Sequence, residues 1–340
     1  MTVTELIRFL TAARGLSGRE DDVAAVAAAL MEDMGKIART PLGSLLCLLP
    51  CGGQDSPVVM LEAHLDQIGM VVTRVEEGFL RFASCGGVDR RLLPAMPVTI
   101  RTGSGVRRGV VASTPPHLKG DSDHPPKLED MLIDTGCTAE EAGELFAPGD
   151  EITMDAPALE LAGGRITGGA LDDRAGCAAV IRAAQLLLEQ NCQCRVMVVL
   201  SSMEEVGGQG AATAAFAVAP DYCYAVDVSF AAAPGLPEHK CGKLGQGPMI
   251  GFAPVLSRQL TRDLIGLARE CSIPYQCEVM GGATGTDADK IVTAGQGVPT
   301  ALLSIPLRNM HTPAEVIDAA DVEHTARLIA AAVSRLGGSL

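Results

Sequence analysis

The chain has few positive charges for its length. Its 340 residues include 27 lysines and arginines against 41 aspartates and glutamates, which leaves a formal net charge of -14 at pH 7. Phosphate groups repel a surface of that sign, so the composition disfavours nucleic acid and anionic membrane surfaces as partners. The chain also lacks an apolar run of about 20 residues, the length that crosses a bilayer, and it shows no internal repeat.

The sequence has no pattern that would direct it out of the cytoplasm. Its first ten residues carry Glu5 within a helical periodicity, unlike the basic start and long apolar core of a signal peptide. Its eleven cysteines form no Cys-x-x-Cys pair, and unpaired cysteines indicate a reducing compartment. Cys192 and Cys194 lie between a predicted helix and a predicted strand, and we favour an incidental pair over a metal or redox site. We therefore expect a cytoplasmic protein.

The pattern of apolar residues predicts an α/β protein with an inserted domain. The length and the content of 47% hydrophobic residues suit a large core and about two domains. Short β-branched runs and a proline-rich loop, Ser113 to Asp130, predict a small β-rich domain over residues 69–163. Longer helices alternate with buried strands after it, which predicts a central sheet. Residues 1–68 and 164–340 would then form one discontinuous α/β domain.

The elements predicted outside the insert are few and long. The main helices cover residues 21–34, 176–190, 210–218, 257–271 and 320–336, and the strands after the insert cover 195–200, 222–228 and 300–304. The segment Ser17-Gly18-Arg19-Glu20 has the pattern of a capping box and is predicted to start the first of these helices.

Two adjacent carboxylates, Glu204 and Glu205, follow the apolar run Val196 to Leu200. Acids at the end of a buried strand are costly unless something uses their charge. One such use is a metal site, in which one carboxylate binds the metal and its neighbour transfers protons. Solvated glutamates after a strand are the plain alternative.

Further acids and histidines stand at predicted strand ends or helix starts, the edge at which sites form in α/β sheets. They are His64, Asp66, Asp172, Asp173, Asp227 and His311. Residues two apart in a strand share a face, so Asp66 could orient the ring of His64, as carboxylates do for zinc-bound histidines.

At these residues the sequence resembles the tetrahedral and glutamyl aminopeptidases, dinuclear metal-dependent peptidases of the zinc-aminopeptidase clan. The family pattern appears in order as His64-x-Asp66, Asp172-Asp173-Arg174, Glu204-Glu205-Val206-Gly207, Asp227, and His311 after Arg308. The resemblance covers nearly the whole chain and includes Gly86-Gly87-Val88-Asp89, Pro115-Pro116-His117, Ile133-Asp134-Thr135-Gly136 and Lys243 to Pro248. Asn309 stands where the family usually has tyrosine, and residues 281–287 are longer than the usual glycine-glycine-threonine-aspartate. Both departures lie near the expected substrate pocket, so the resemblance assigns no substrate preference.

The resemblance implies a zinc-aminopeptidase-like catalytic domain with a central mixed sheet, interrupted by a β-rich domain through which family members dimerise and build tetrahedral dodecamers. It implies two divalent ions, zinc or cobalt, with manganese also compatible. Asp172 would bridge them, His64 and Asp227 would complete one metal, and Glu205 and His311 the other. Glu204 would be the general base and Asp66 would support His64. In this clan the peptide bond after the bridging aspartate, here Asp172-Asp173, is typically cis.

The resulting expectation is an aminopeptidase that removes N-terminal residues from small peptides. An N-acyl amino-acid deacylase, or another hydrolase on the same dinuclear scaffold, is the nearest alternative. A binding protein that has lost the chemistry is a second, although the ligand set and Glu204 are intact. A structural zinc protein is a third, although structural sites favour cysteine ligands and no proposed ligand here is cysteine. No substrate-binding residue is assigned from the sequence.

Overall fold

The computed structural model describes residues 1–114, 116–118 and 126–338. The predicted loop between Ser113 and Asp130 and the Pro115-Pro116-His117 motif therefore lie partly outside the described residues. Within the described part of the chain, no helix is long and apolar enough to cross a membrane.

The regular elements are numbered along the chain. The α-helices are α1 (Val3–Ala12), α2 (Asp21–Leu30), α3 (Ala139–Leu145), α4 (Leu171–Glu189), α5 (Gln209–Val218), α6 (Arg258–Glu270), α7 (Ala288–Ile291) and α8 (Ala319–Leu336). The strands are β1 (Lys36–Arg39), β2 (Leu45–Leu48), β3 (Val58–His64), β4 (Gly69–Glu76), β5 (Phe79–Cys85), β6 (Pro97–Thr102), β7 (Gly105–Val111), β8 (Ile133–Asp134), β9 (Glu151–Met154), β10 (Leu159–Glu160), β11 (Arg165–Gly168), β12 (Arg195–Ser201), β13 (Tyr222–Phe230), β14 (Met249–Phe252), β15 (Gln276–Val279), β16 (Thr300–Leu307) and β17 (Glu315–Asp318).

An eight-stranded mixed sheet forms the centre of the molecule, in the order β1-β2-β12-β3-β13-β16-β14-β15. Its four middle strands, β12, β3, β13 and β16, are parallel to one another. Strands β2 and β14 run antiparallel to their neighbours β12 and β16. The predicted α/β fold with a central mixed sheet is therefore confirmed.

Helix α4 packs closely because many of its buried residues are small. Ala175, Ala178, Ala179 and Ala183 are fully or almost fully buried against the sheet and neighbouring helices. Small side chains let the backbones approach, and the interior reaches the density of an organic crystal. The start of α4, which carries Asp172, is thus held firmly against β3 and β13.

A closed six-stranded barrel, in the order β4-β5-β8-β7-β6-β9, lies between residues 69 and 154 of the chain. It has its own apolar cluster, which includes Met70, Leu80, Ile100 and Ile152. The boundaries at residues 69 and 163, and a role of this segment in dimerisation, stay predictions.

The predicted capping box is wrong. The hydroxyl of Ser17 donates to Asp66, and Glu20 accepts from the main chain of Gly18 and Met203, so neither side chain caps α2. Helix α2 also ends at Leu30, before the predicted end at residue 34. Glycine is required at position 35, directly before β1, because a Cβ there would come within 2.2 Å of the Leu48 carbonyl oxygen.

Candidate metal centre

The predicted site residues meet at one edge of the central sheet. The parallel strands β3, β12, β13 and β16 all end there, and such an edge is where open α/β sheets bind ligands. His64 is the last residue of β3, Asp227 lies in β13, and His311 follows β16. Glu204 and Glu205 lie in the turn after β12, and Asp172 lies at the start of α4.

Asp172 stands between the two histidines. Its Oδ1 is 3.2 Å from Nε2 of His64, and its Oδ2 is 3.3 Å from Nε2 of His311. Nε2 of His311 is also 3.4 Å from Oε1 of Glu205, and Nε2 of His64 is 4.0 Å from Oδ1 of Asp227. All five residues predicted to bind metal are therefore brought together.

Two groups within this cluster have the spacing of metal ligands. Ligand atoms of His64, Asp172 and Glu205 lie within 4.8 Å of one another, and so do those of His64, Asp173 and Asp227. Asp173 was not among the predicted ligands. Its oxygens accept from the main-chain N–H groups of Gly176 and His64, so it caps the helical part of α4. The Asp172-Asp173 peptide bond is cis, as the resemblance implied.

Asp66 holds the loop that carries the two glutamates. Its carboxylate accepts from the N–H groups of Glu204 at 2.9 Å and Glu205 at 3.1 Å, and from the Ser17 hydroxyl at 2.6 Å. Its Oδ1 is 3.4 Å from Nδ1 of His64. The sequence predicted that His64 and Asp66 share a strand face. Strand β3 ends at His64, however, so Asp66 reaches the ring from the following loop.

The charges of the cluster are strongly coupled. Burial opposes a charged ring, yet hydrogen bonds to Asp172 and Asp66 raise the pKa of His64 well above its ordinary value. Hydrogen bonds to Asp172 and Glu205 raise the pKa of His311 to about 11. Burial opposes ionisation of Asp172, but the two histidines hold its pKa below the usual range.

This donor set fits a divalent cation. Within the described part of the chain, no lysine or arginine forms an ion pair with Asp172, Glu205 or Asp227, and only protonated histidines balance their charge. Buried carboxylates need such a partner. Two imidazoles and three carboxylates are also the ligand types that zinc and related ions take.

Glu204 differs from its neighbour. Its carboxylate is half-buried and accepts no hydrogen bond from the described residues, whereas its main-chain N–H is held by Asp66. Burial, together with the charges of Asp287 and Glu205, raises the pKa of Glu204 to about 8. A carboxyl of that pKa beside the cluster is suited to taking and returning a proton near neutral pH.

Several residues of the site were missed from the sequence. Glu20 accepts from the N–H of Met203, which has a left-handed φ of 60°. The main-chain oxygen of Gly87, in the loop after β5, is 3.2 Å from Nδ1 of His311. Glu315 bonds to the main chain of Asp172 and His311. Glu315 could have been found from the segment Pro313 to Asp318, in which an acid is the first residue of an apolar strand.

Comparison with known proteins agrees with this geometry. The family described as M42 glutamyl aminopeptidase matches residues 43–328. A lysyl aminopeptidase of Pyrococcus furiosus is 36% identical over 288 residues, which is 83% of this chain and 83% of the relative.

Solved structures extend the comparison to the fold. An aminopeptidase from the archaeon Desulfurococcus kamchatkensis superposes with a TM-score of 0.92 at 33% identity, covering 98% of this chain and 94% of the other. The TET1 peptidase of Pyrococcus horikoshii, which can assemble into a tetrahedron or a large octahedral shell, superposes with a TM-score of 0.85 at 30% identity, covering 97% and 98%. The predicted zinc-aminopeptidase-like fold is thereby confirmed.

Proposed function

The chain belongs to the M42 glutamyl aminopeptidase family, as its motifs predicted, and from this premise we propose that it removes the N-terminal residue of short peptides with two divalent ions. The family identifies a metal-dependent peptide hydrolase. The number of ions, the residues that hold them and the base are our proposal.

The proposed ligand set has Asp172 at its centre. His64 and Asp227 would hold one ion, Glu205 and His311 the other, and Asp172 would contact both. The observation that carries this assignment is that the two carboxylate oxygens of Asp172 face two different imidazoles, at 3.2 and 3.3 Å. Zinc and cobalt share this ligand preference and manganese is compatible with it.

Glu204 is the proposed general base. When bound, the ions would polarise the peptide carbonyl and make a water more acidic. The free carboxylate of Glu204 takes the proton of the attacking water and passes it to the leaving amine. Asp66 keeps this geometry by holding the N–H groups of Glu204 and Glu205 and by lying beside Nδ1 of His64. Asp66 is thus a positioning residue.

Release of the anilide from a panel of aminoacyl-anilides, assayed with zinc, cobalt and manganese, tests the activity. Removal of bound metal by a chelator should abolish release, and adding the ion back should restore it. Acetylated amino acids, as the matched substrates, test the alternative of an N-acyl amino-acid deacylase. Hydrolysis of the acetylated compounds alone would contradict the proposal.

The panel also decides the preferred residue. The family is described as glutamyl aminopeptidase, whereas the relative from Pyrococcus furiosus is a lysyl aminopeptidase. Membership of the family therefore does not determine which N-terminal residue is preferred. Asn309 has a φ of 58°, which asparagine tolerates better than tyrosine, and its amide donates to the Ala314 carbonyl. The residue thus stabilises the loop that leads to His311.

We further propose that the protein works as an oligomer of dimers in the cytoplasm, most simply a tetrahedral dodecamer. The barrel supports this proposal as the expected dimerisation element, and so does the assembly of the TET1 relative. An enclosed site would admit small peptides and exclude folded proteins. Mass photometry should show a large assembly, and the 35.2 kDa chain alone would contradict it.

A further inference from the structure

Glu315 is a buried carboxylate that the chemistry above does not use. It is the first residue of β17 and only 2% exposed. Its Oε2 accepts from the N–H groups of Leu171 at 2.8 Å and Asp172 at 3.2 Å, and its Oε1 accepts from the N–H of His311 at 2.9 Å. A buried carboxylate is costly unless it is hydrogen-bonded, and here three main-chain donors satisfy it.

The backbone places Glu315 between the two chain segments that enter the site. On one side β17 pairs with β11, with Gly168 opposite Glu315, and β11 leads to Asp172. On the other side Val316 forms a bridge with Arg308, which leads to His311. The two donors, Asp172 and His311, are far apart in sequence, and the carboxylate joins their main chains.

Both segments have backbone conformations that require support. Ala170 has a φ of 59°, and Asn309 and His311 have φ values of 58° and 62°. Left-handed conformations are unfavourable for alanine and histidine and persist where the surroundings determine them. The hydrogen bonds of Glu315 supply such support at Asp172 and at His311.

We propose that Glu315 is a positioning residue that fixes the main chains of Asp172 and His311 so that both side chains face the same cation. The inference rests on the proposed function. Glu315 is not itself a ligand in this assignment, because both of its oxygens already accept main-chain hydrogen bonds. Its role resembles that of Asp66, which holds the main-chain N–H groups of Glu204 and Glu205.

The chain offers a matched control in Asp321. This carboxylate is fully buried and also accepts from two main-chain N–H groups, those of Gly245 and Gly247, each at 2.7 Å. Loss of these bonds should lower stability without altering the orientation of Asp172 or His311. Comparing Glu315→Gln with Asp321→Asn therefore separates positioning of the ligands from general stability.

The test uses the full-length protein after removal of metal. Cobalt is titrated into wild type, Glu315→Gln and Asp321→Asn, with calorimetry for stoichiometry and affinity and visible absorption for ligand geometry. Glutamine turns an N–H₂ group toward main-chain donors, so one cobalt should bind about 10–100-fold more weakly, with an altered spectrum. Asp321→Asn should bind cobalt as wild type does, although its melting temperature falls.

The outcomes are distinct. Wild-type cobalt affinity and spectrum in Glu315→Gln would overturn this inference alone, whereas a wild-type protein that binds no cobalt would overturn the proposed function and this inference with it. If Glu315→Gln does not fold, hydrogen exchange of the wild type gives the answer. The N–H groups of Asp172 and His311 should be protected even without metal, and fast exchange at both would refute the proposal.

Discussion

The loop after β5 of the barrel packs directly against a proposed metal ligand, and Gly87→Ala tests that contact. A Cβ on Gly87 would lie 2.6 Å from Nδ1 and 3.1 Å from Cε1 of His311. Non-bonded heavy atoms approach to about 3.5 Å, so the ring or the loop must move by about 0.9 Å. The position does not have a left-handed φ, so alanine adds this clash and no backbone strain.

A displacement of that size is expected to matter because the Gly87 carbonyl also orients the ring. A hydrogen on Nδ1 directed at this oxygen leaves Nε2 facing Asp172 and Glu205, which is the arrangement a metal ligand needs. A misplacement of about 1 Å can cost about 10²-fold in rate. We therefore expect Gly87→Ala to lower kcat by about that factor and to weaken the binding of the ion proposed at Glu205 and His311.

Gly103→Ala is the matched control. Gly103 lies in the turn between β6 and β7 of the same barrel, its added Cβ would meet nothing within 4 Å, and its φ is not left-handed. Anilide hydrolysis at saturating metal and metal content by mass spectrometry should be unchanged in this variant. If Gly87→Ala also kept near wild-type kcat and metal content, the contact between the barrel loop and His311 would have no functional importance.

The remaining predictions separate proton transfer from metal binding. Glu204→Gln keeps the size of the side chain but cannot accept a proton, so kcat should fall by about 10²–10⁴-fold with metal content unchanged, whereas Glu205→Gln should lose metal. If Glu204→Gln lost metal and Glu205→Gln did not, Glu204 would be the metal ligand and Glu205 the base. Asp172→Ala should lose both ions or bind them much more weakly. Unchanged metal content with full activity would rule out a contact of Asp172 with both ions. Because burial raises the pKa of Glu204 to about 8 and a base must be ionised, kcat/KM should rise from about pH 6 towards about pH 8. A bound cation favours the ionised form and moves the midpoint below 8, and a flat profile would mean that another group takes the proton.

The fold outside the barrel was largely predictable because its elements are long and periodic. The predicted helix 257–271 is α6, Arg258–Glu270, and the predicted strand 222–228 is β13, Tyr222–Phe230. Apolar periodicity over ten or more residues is a strong local signal. The error at Ser17 and Glu20 has a different cause. Their spacing matches a local cap, but both side chains bond to residues of the site that are distant in sequence, and no local pattern contains that information.

The site was predictable in its membership and less so in its geometry. Residues at the ends of parallel strands must converge, so the positions of His64, Asp227 and His311 followed from the topology. The conformation of the turn after β12 did not follow from the topology. Met203 adopts a left-handed φ there, and both Glu204 and Glu205 reach the site. Strand alternation would have sent them to opposite faces.

Most of the buried acids of the site form two groups that a sequence cannot separate, because the residue types are identical. In Asp66, Asp173 and Glu315 the oxygens accept main-chain N–H groups, which provide compensation at fixed positions, and Asp66 also lies 3.4 Å from Nδ1 of His64. In Asp172 and Glu205 the oxygens face imidazole nitrogens, and a positive charge must compensate them. At Asp172 and Glu205 a metal ion can replace the protons of the facing histidines. Binding of a metal ion by the acids of the first group would instead break the hydrogen bonds that shape the loops. Asp227 combines both features, because its Oδ1 accepts from the N–H of Val228 at 2.7 Å and lies 4.0 Å from Nε2 of His64. The partners of the oxygens therefore support the proposed ligand roles of Asp172 and Glu205 and the positioning roles of Asp66, Asp173 and Glu315.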